Sequence, residues 1–216
     1  DYLEKKGIVS KDITVICNGF KTYQYKQYIV DMLHDGFTNI IPVLDNKEEF
    51  NIYDDELDIH CNLGIRIASE EQPDSQFYTS RLGIRMEDVI DFYQHKIASN
   101  PNFKVKLLHF FINSGISDTP YYWNELEKYV TLYCKFKKVN PHLTTLDIGG
   151  GMPFKDSLVF DFDYEYMVNE IVKRIKEICG EHDIEEPDII TEFGKNTCAE
   201  ASGILYKELG RKQQNE

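Results

Sequence analysis

Two kinds of hydrophobic pattern alternate along the chain. Short runs in which nearly every position is apolar are separated by longer stretches with apolar residues three and four positions apart. The short runs predict strands covered on both faces, and the longer stretches predict amphipathic helices. Six strands are predicted, over residues 13–19, 39–45, 61–69, 105–113, 144–151 and 188–194. This alternation is typical of repeated βα units around a parallel sheet.

Four helices are predicted between the strands, and their apolar stripes are expected to pack on the sheet. They cover a stretch that begins near Thr22 and ends at residue 33, and residues 86–97, 123–136 and 164–179. Six βα units fit either an open doubly wound sheet or part of a closed barrel. In both folds ligands bind at the carboxyl ends of the strands, so the residues that follow each strand are the candidates for a site.

Composition narrows the classes of partner. The chain has 216 residues, 42% of them hydrophobic and 28% charged, which is enough for a globular domain with its own core. A net charge of -13 repels nucleic acid and anionic membranes, and no apolar run approaches the roughly 20 residues that span a bilayer. Five scattered cysteines without CxxC spacing predict reduced thiols in a cytoplasmic protein and no metal site. We therefore expect neither a nucleic-acid nor a membrane partner.

Chemically useful residues follow several of the predicted strands. Gly149, Gly150 and Gly151 come directly after one strand, and glycine backbone can approach a ligand closely and offer its N–H groups to a phosphate. A hydroxyl, a lysine and these amides could bind a phosphate together, while Glu192 could meet a ring nitrogen. Each residue also has an ordinary explanation, such as a tight turn, a helix cap or a solvated lysine, so the prediction depends on their combination.

The order of these motifs resembles the fold type III pyridoxal-phosphate decarboxylases, which include ornithine, diaminopimelate and biosynthetic arginine decarboxylases. Asp147 to Gly151 match the family's DIGGG motif, and Glu192 to Lys195 are similar to its Glu-Pro-Gly-Arg motif. The segment from His109 to Ser114 is similar to His-Phe-His-Leu-Gly-Ser. Residues 15–33, VICNGFKTYQYKQYIVDML, are most like the biosynthetic arginine decarboxylases. The resemblance runs from about residue 11 to about residue 207.

The resemblance implies a role for nine residues. Glu192 is the catalytic candidate, because a carboxylate beside the cofactor's ring nitrogen keeps that ring protonated. Lys195 replaces the family's arginine, so it keeps the positive charge but lacks the planar guanidinium that binds phosphate through two hydrogen bonds. Phe111 replaces the family's histidine, which stacks on the cofactor ring. The residues expected to bind pyridoxal 5'-phosphate are Gly149, Gly150, Gly151, Ser114, Phe111, Arg66, Lys195 and Gly194.

The resemblance also implies a fold and an activity. We expect an α/β fold, an incomplete (β/α)8 TIM barrel of the alanine racemase-like type with about six of eight βα units, forming a single domain over residues 1–216. The family's first two strands, its cofactor-bearing lysine and its C-terminal β-domain have no match here, so this chain alone is expected to be inactive. The parent protein is expected to be a homodimer or higher homo-oligomer that decarboxylates a basic amino acid. Arginine, giving agmatine, is the first choice of substrate.

Three other functions remain open. The substrate could be diaminopimelate, ornithine or carboxynorspermidine, because only the 15–33 segment favours arginine. The chain could be a regulatory homologue that binds the cofactor without catalysis, which the changes at Phe111 and Lys195 would fit. It could also be a phosphate-binding barrel with unrelated chemistry, in which case the match at Glu192 to Lys195 is coincidence.

Overall fold

Six parallel strands form one sheet in the computed structural model, which describes residues 5–7, 10–69, 82–154 and 160–198. Each strand pairs in parallel with the next one along the sequence, so the order in the sheet is the order in the chain. The strands are β1 (Val15–Cys17), β2 (Ile40–Leu44), β3 (Cys61–Arg66), β4 (Phe103–His109), β5 (Thr145–Asp147) and β6 (Asp188–Ile190). All six predicted strands are therefore present.

Helices connect the strands, as parallel pairing requires. They are α1 (Tyr23–His34), α2 (Glu49–Glu56), α3 (Val89–Phe92), α4 (Pro120–Val139), α5 (Tyr164–Glu181) and α6 (Gly194–Cys198). A 3-10 turn, Met86–Asp88, precedes α3, and a π turn, Tyr93–Ile97, follows it. The single helix predicted over residues 86–97 is thus three short pieces, and α2 and α6 were not predicted.

Helix starts follow from local capping chemistry. The side chains of Thr22, Thr119 and Asp163 accept backbone N–H groups at the first turns of α1, α4 and α5. Pro120 opens α4, where its missing N–H costs nothing. Among the described residues no helix has the length and apolar character needed to cross a membrane.

The sheet buries its two faces in different ways. On the helix side, the main core joins buried residues of the strands to those of the helices, with Tyr129 and Phe136 of α4 fully buried. On the other face, a small cluster contains Ile41, Val43 and Leu107. A Cβ on Gly64 would lie 2.9 Å from both Val43 and Leu107, so this face is tightly filled at mid-height. Polar residues of this face lie above the small cluster, at the carboxyl ends of the strands.

The sheet is curled, and its two edge strands approach each other at their carboxyl ends. The Asn18 side-chain amide, just after β1, donates a hydrogen bond to the Glu192 carboxylate, just after β6. Strand β6 is otherwise exposed, and Ile189 shows 36% of its surface to solvent. The result is an open, six-stranded part of a barrel with helices outside, which confirms the predicted fold class.

Candidate active site

Three titratable side chains meet at the carboxyl ends of the last three strands. His109 ends β4, Asp147 ends β5 and Glu192 follows β6 by two residues. His109 and Asp147 are aligned in the parallel register, and one ligand-type atom of each of the three residues lies within 4.8 Å of the others. His109 is 2% exposed and Asp147 is fully buried, while the Glu192 side chain is 39% exposed. The cluster is thus closed below and open toward the barrel mouth.

The cluster gives its two carboxyl groups different pKa values. Burial raises the pKa of Asp147 to about 6, although His109 and the Gly149 N–H oppose this rise. The pKa of Glu192 is lowered by the adjacent His109 ring, against the effect of burial, and Asn18 and Arg66 lower it further. Near neutral pH Glu192 is therefore a carboxylate, and Asp147 is the group that exchanges a proton most readily.

A second polar network ties together the loops after β1 and β2. Lys21 Nζ lies 2.9 Å from Glu49 Oε1 and donates to the carbonyl oxygens of Val43 at 2.6 Å and Gly19 at 3.0 Å. Glu49 in turn accepts the backbone N–H of Asp45 at 3.1 Å. Because the Lys21 side chain is fully buried in these contacts, its amine serves the fold and is not free to bind a phosphate.

Arg66 links this network to the three-residue cluster. Its guanidinium Nη1 lies 3.6 Å from Asp45 Oδ1, and its positive charge contributes to the low pKa of Glu192. Only 15% of the Arg66 side chain is exposed. Arg66 and Glu192, two of the predicted site residues, are therefore brought to the same end of the sheet.

The three glycines after β5 are required by close approach of backbone on both sides. Gly149 has φ +68°, and a Cβ there would lie 2.6 Å from the Phe110 carbonyl oxygen. A Cβ on Gly150 would lie 2.8 Å from the Glu192 carbonyl oxygen, and one on Gly151, at φ +96°, 2.8 Å from the Gly115 Cα. The glycine loop, Gly149 to Gly151, thus fits between the loops that follow β4 and β6.

Part of the glycine loop's hydrogen-bonding capacity is unused. The Gly149 N–H donates to Asp147 Oδ1 at 2.9 Å, and the Gly149 carbonyl accepts from the Glu192 N–H at 2.9 Å. The N–H groups of Gly150 and Gly151 donate to no other part of the chain that the structure describes. These two amides are available to an anion.

Ser114 and Phe111 border the glycine loop on the β4 side. Ser114 is exposed, and its hydroxyl lies 3.5 Å from the Gly115 carbonyl. Gly115 packs on Gly151. The N–H of the next residue, Ile116, donates a hydrogen bond to the Gly151 carbonyl at 3.0 Å. Phe111 is partly buried, with its ring edge 3.3 Å from the position that a Gly149 Cβ would take. Both predicted residues therefore lie beside the predicted glycines.

Gly194 and Lys195 form the first turn of α6, next to Glu192. The Gly194 N–H donates to the Glu192 carbonyl at 2.9 Å, and a Cβ on Gly194 would meet nothing within 4 Å. Lys195 is exposed, and its ammonium lies 5.8 Å from the centre of the Phe154 ring. Of the predicted site residues, Lys195 thus differs in that its ammonium group lies over an aromatic ring and not beside the cluster of His109, Asp147 and Glu192.

Sequence reasoning gave no role to His109, Asn18 or Lys21, although all three lie in strands or strand ends that it singled out. The available signal at His109 was a single histidine inside the apolar run VKLLHFFIN, and a buried polar residue in such a run needs a partner. No local pattern could show that Asn18 reaches Glu192, because 174 positions separate them.

Comparison with known proteins identifies relatives of this arrangement. Residues 7–199 match the family model described as "Pyridoxal-dependent decarboxylase, pyridoxal binding domain". The chain is 26% identical to a biosynthetic arginine decarboxylase of Trichlorobacter lovleyi over 217 aligned positions, which cover 94% of the chain and 34% of the relative. The chain therefore spans about a third of the length of the curated relatives it matches.

Solved structures show the same fold. The biosynthetic arginine decarboxylase of Campylobacter jejuni superposes with a TM-score of 0.67 at 19% identity, over 90% of this chain and 33% of that one. Lysine decarboxylase of Selenomonas ruminantium gives a TM-score of 0.63 at 19% identity, over 88% and 46%. The predicted family is confirmed, and with it the cofactor class that the family's description names. The chain belongs to the pyridoxal-dependent decarboxylase family, and residues 7–199 are its pyridoxal-binding domain.

Proposed function

We propose that this chain provides the cofactor-binding part of a decarboxylase that acts on a basic amino acid, with arginine as the first choice. The observation that carries the proposal is the pairing of free amides and an ionised carboxylate at one end of the sheet. The amides belong to Gly150 and Gly151, and the carboxylate to Glu192, whose backbone contacts the same loop.

The residues present fit pyridoxal phosphate at both of its ends. The amides of Gly150 and Gly151, with the Ser114 hydroxyl nearby, would hold the phosphate. Glu192 would hold the ring nitrogen, because a carboxylate with a lowered pKa favours a protonated ring beside it. When bound, the cofactor supplies the electron sink that makes loss of carbon dioxide feasible.

Other side chains of the site would tune this binding. Arg66 would keep Glu192 ionised through its positive charge. Phe111, beside the glycine loop, can offer a ring face but no proton. Lys195 lies one turn from Glu192, where it can contribute positive charge near a phosphate without a bidentate grip. The site would thus bind the cofactor through backbone N–H groups and charged side chains more than through bidentate arginine contacts.

The names of similar proteins support a basic substrate. The curated relatives are named biosynthetic arginine decarboxylases, and one similar solved structure holds PLP and cadaverine. Another, a viral arginine decarboxylase, is bound to agmatine. Arginine is the substrate these names share most often, which agrees with the resemblance of residues 15–33.

Cofactor binding can be tested on this chain with 4'-deoxypyridoxine 5'-phosphate. This analogue keeps the ring nitrogen and the phosphate but has no aldehyde, so its binding requires no lysine. We expect saturable binding by calorimetry, weakened about tenfold by Glu192→Gln, the loss expected for one hydrogen bond to a charged group. The exposed Glu165→Gln is the matched control and should bind like the wild type. No binding to the wild-type chain would contradict the proposal.

The reaction can be tested with the full-length gene product that contains this sequence. Carbon dioxide release should be measured with arginine, ornithine, lysine and diaminopimelate side by side, in the presence of pyridoxal phosphate. Release from arginine alone would support the first choice, and release from another substrate would replace it. Cofactor binding without release would favour the second candidate, a non-catalytic homologue. This candidate is supported by Phe111 and Lys195, which replace the family's histidine and arginine.

A further inference from the structure

We propose that His109 is a positioning residue, which orients the Glu192 carboxylate and keeps it ionised by directing an Nε2–H at it. This inference rests on the proposed function, because Glu192 is there the partner of the cofactor's ring nitrogen. The nine residues that the sequence assigned to the site do not include His109. Its position, close to both the buried Asp147 and the more exposed Glu192, gives it this role.

The first argument is that His109 needs a partner. The ring is 2% exposed, and neither of its nitrogens makes a hydrogen bond with the described residues. A buried imidazole whose nitrogens have no hydrogen-bond partner destabilises the fold, because it has lost its contacts with water. Its Nε2 lies 3.7 Å from Glu192 Oε2, so a movement of less than about 1 Å brings the two atoms to hydrogen-bond distance. The partly exposed Glu192 side chain is the group that has room for this movement.

The second argument is that the other acceptors are occupied or less ionised. Asp147 Oδ1 already accepts the Gly149 N–H, and its Oδ2 has no partner among the described residues. Since the pKa of Asp147 is raised to about 6, this group carries less negative charge in mildly acidic solution than Glu192 does. A ring N–H of His109 therefore finds its stronger acceptor in Glu192.

The charges around the ring favour a proton over a metal ion. The ring is faced by Asp147 from β5 and by Glu192 from the loop after β6. Arg66 of β3 is aligned with His109 in the sheet register, and it is paired with Asp45 from the end of β2. Although His109, Asp147 and Glu192 offer ligand atoms within 4.8 Å, the guanidinium that acts on Glu192 would repel a divalent cation. The same guanidinium supports an ionised Glu192 that accepts an N–H.

The role can be tested in the chain without any ligand, by carboxyl ¹³C NMR of Glu192 as a function of pH. We expect His109→Leu, which has no hydrogen-bond donor, to move the Glu192 titration midpoint upward, toward the ordinary value of a glutamate. The matched control is His34→Leu, which removes a surface histidine whose Nε2 lies 3.5 Å from Asp58 Oδ1. It should leave the Glu192 midpoint unchanged. An unchanged midpoint in a folded His109→Leu chain would overturn the proposal.

A measurement on the wild type keeps the proposal testable if the variant does not fold. Nitrogen-15 NMR of the His109 ring reports which nitrogen carries hydrogen. We expect Nε2 to be protonated wherever Glu192 is ionised, and hydrogen on Nδ1 alone at pH 7 would overturn the assignment.

Ligand binding separates this inference from the proposed function. His109→Leu should weaken binding of 4'-deoxypyridoxine 5'-phosphate about tenfold, while leaving the affinity for inorganic phosphate unchanged. An equal loss for both ligands would mean that His109 supports the fold of the site and does not act through Glu192. Failure of the wild-type chain to bind the analogue would contradict the proposed function, and the Glu192 titration in the free chain would still decide the role of His109.

Discussion

Replacing Gly149 with alanine tests whether the backbone packed around the glycine loop requires a glycine at this position. Gly149 has φ +68°, a region in which an L-residue costs about 1–2 kcal/mol. The new Cβ would also lie 2.6 Å from the Phe110 carbonyl oxygen, a backbone atom that cannot rotate away. Relieving such an overlap costs roughly 1–3 kcal/mol. Together we expect a loss of about 2–5 kcal/mol, against total stabilities of about 5–15 kcal/mol for folded domains.

Urea unfolding of the chain without ligand measures this loss directly. With a denaturant slope of about 2–3 kcal/mol per molar, the midpoint of Gly149→Ala should fall by about 1–2 M. Gly180→Ala is the matched control: Gly180 lies in α5, and a Cβ there meets nothing within 4 Å. Alanine in a helix is favoured over glycine by about 0.5–1 kcal/mol, so this variant should unfold at a higher concentration. Equal midpoints for wild type and Gly149→Ala would refute the steric reasoning.

Three further predictions concern stability. The raised pKa of Asp147 means that the contribution of this residue to stability is greatest below the ordinary value of 3.8, and about 3 kcal/mol of it is lost as pH rises through about 6. Asp147→Asn should remove this part of the pH dependence, and identical slopes for variant and wild type between about pH 4 and 8 would contradict the assignment. Lys21→Met should lower the free energy of unfolding in urea by about 3–5 kcal/mol, because it leaves the buried Glu49 carboxylate without its cation. Adding Glu49→Leu should restore much of this loss, and a double variant no more stable than the single one would count against the ion pair. Thr119→Ala should lower the free energy of unfolding by about 1 kcal/mol through loss of the α4 cap, whereas the exposed Thr144→Ala should have little effect.

Much of the fold was predictable because its strands are short, apolar on both faces and separated by amphipathic helices. The predicted strands were too long at their carboxyl ends, since Asn18, Gly149 and Glu192 lie in loops that leave the sheet. Helix α2 was missed because its apolar positions, Phe50 and Tyr53, are set among acidic residues and its buried Glu49 is held by tertiary contacts. The π turn after α3 likewise has no simple periodic signature.

The arrangement of the candidate site was predictable where one local motif supplies several of its residues. The glycine loop and Glu192 are recognisable from short segments, and the structure places them in backbone contact. The partners of Glu192 were not recognisable, because Asn18, Arg66 and His109 come from three other strands and meet it only through the curl of the sheet. The burial of Lys21 against Glu49 was not recognisable either, because it depends on a tertiary contact between residues 28 positions apart.

The sequential order of the strands has a consequence for how the chain is made. Each strand pairs with the one synthesised just before it, so the sheet can grow from β1 onward as the chain leaves the ribosome. His109 and Asp147 come together once β5 has paired, but Glu192 arrives with β6. Its bond to Asn18 then joins β1 and β6, across 174 positions of the chain. The polar cluster around Glu192 is therefore completed in a single step, when β6 joins the sheet.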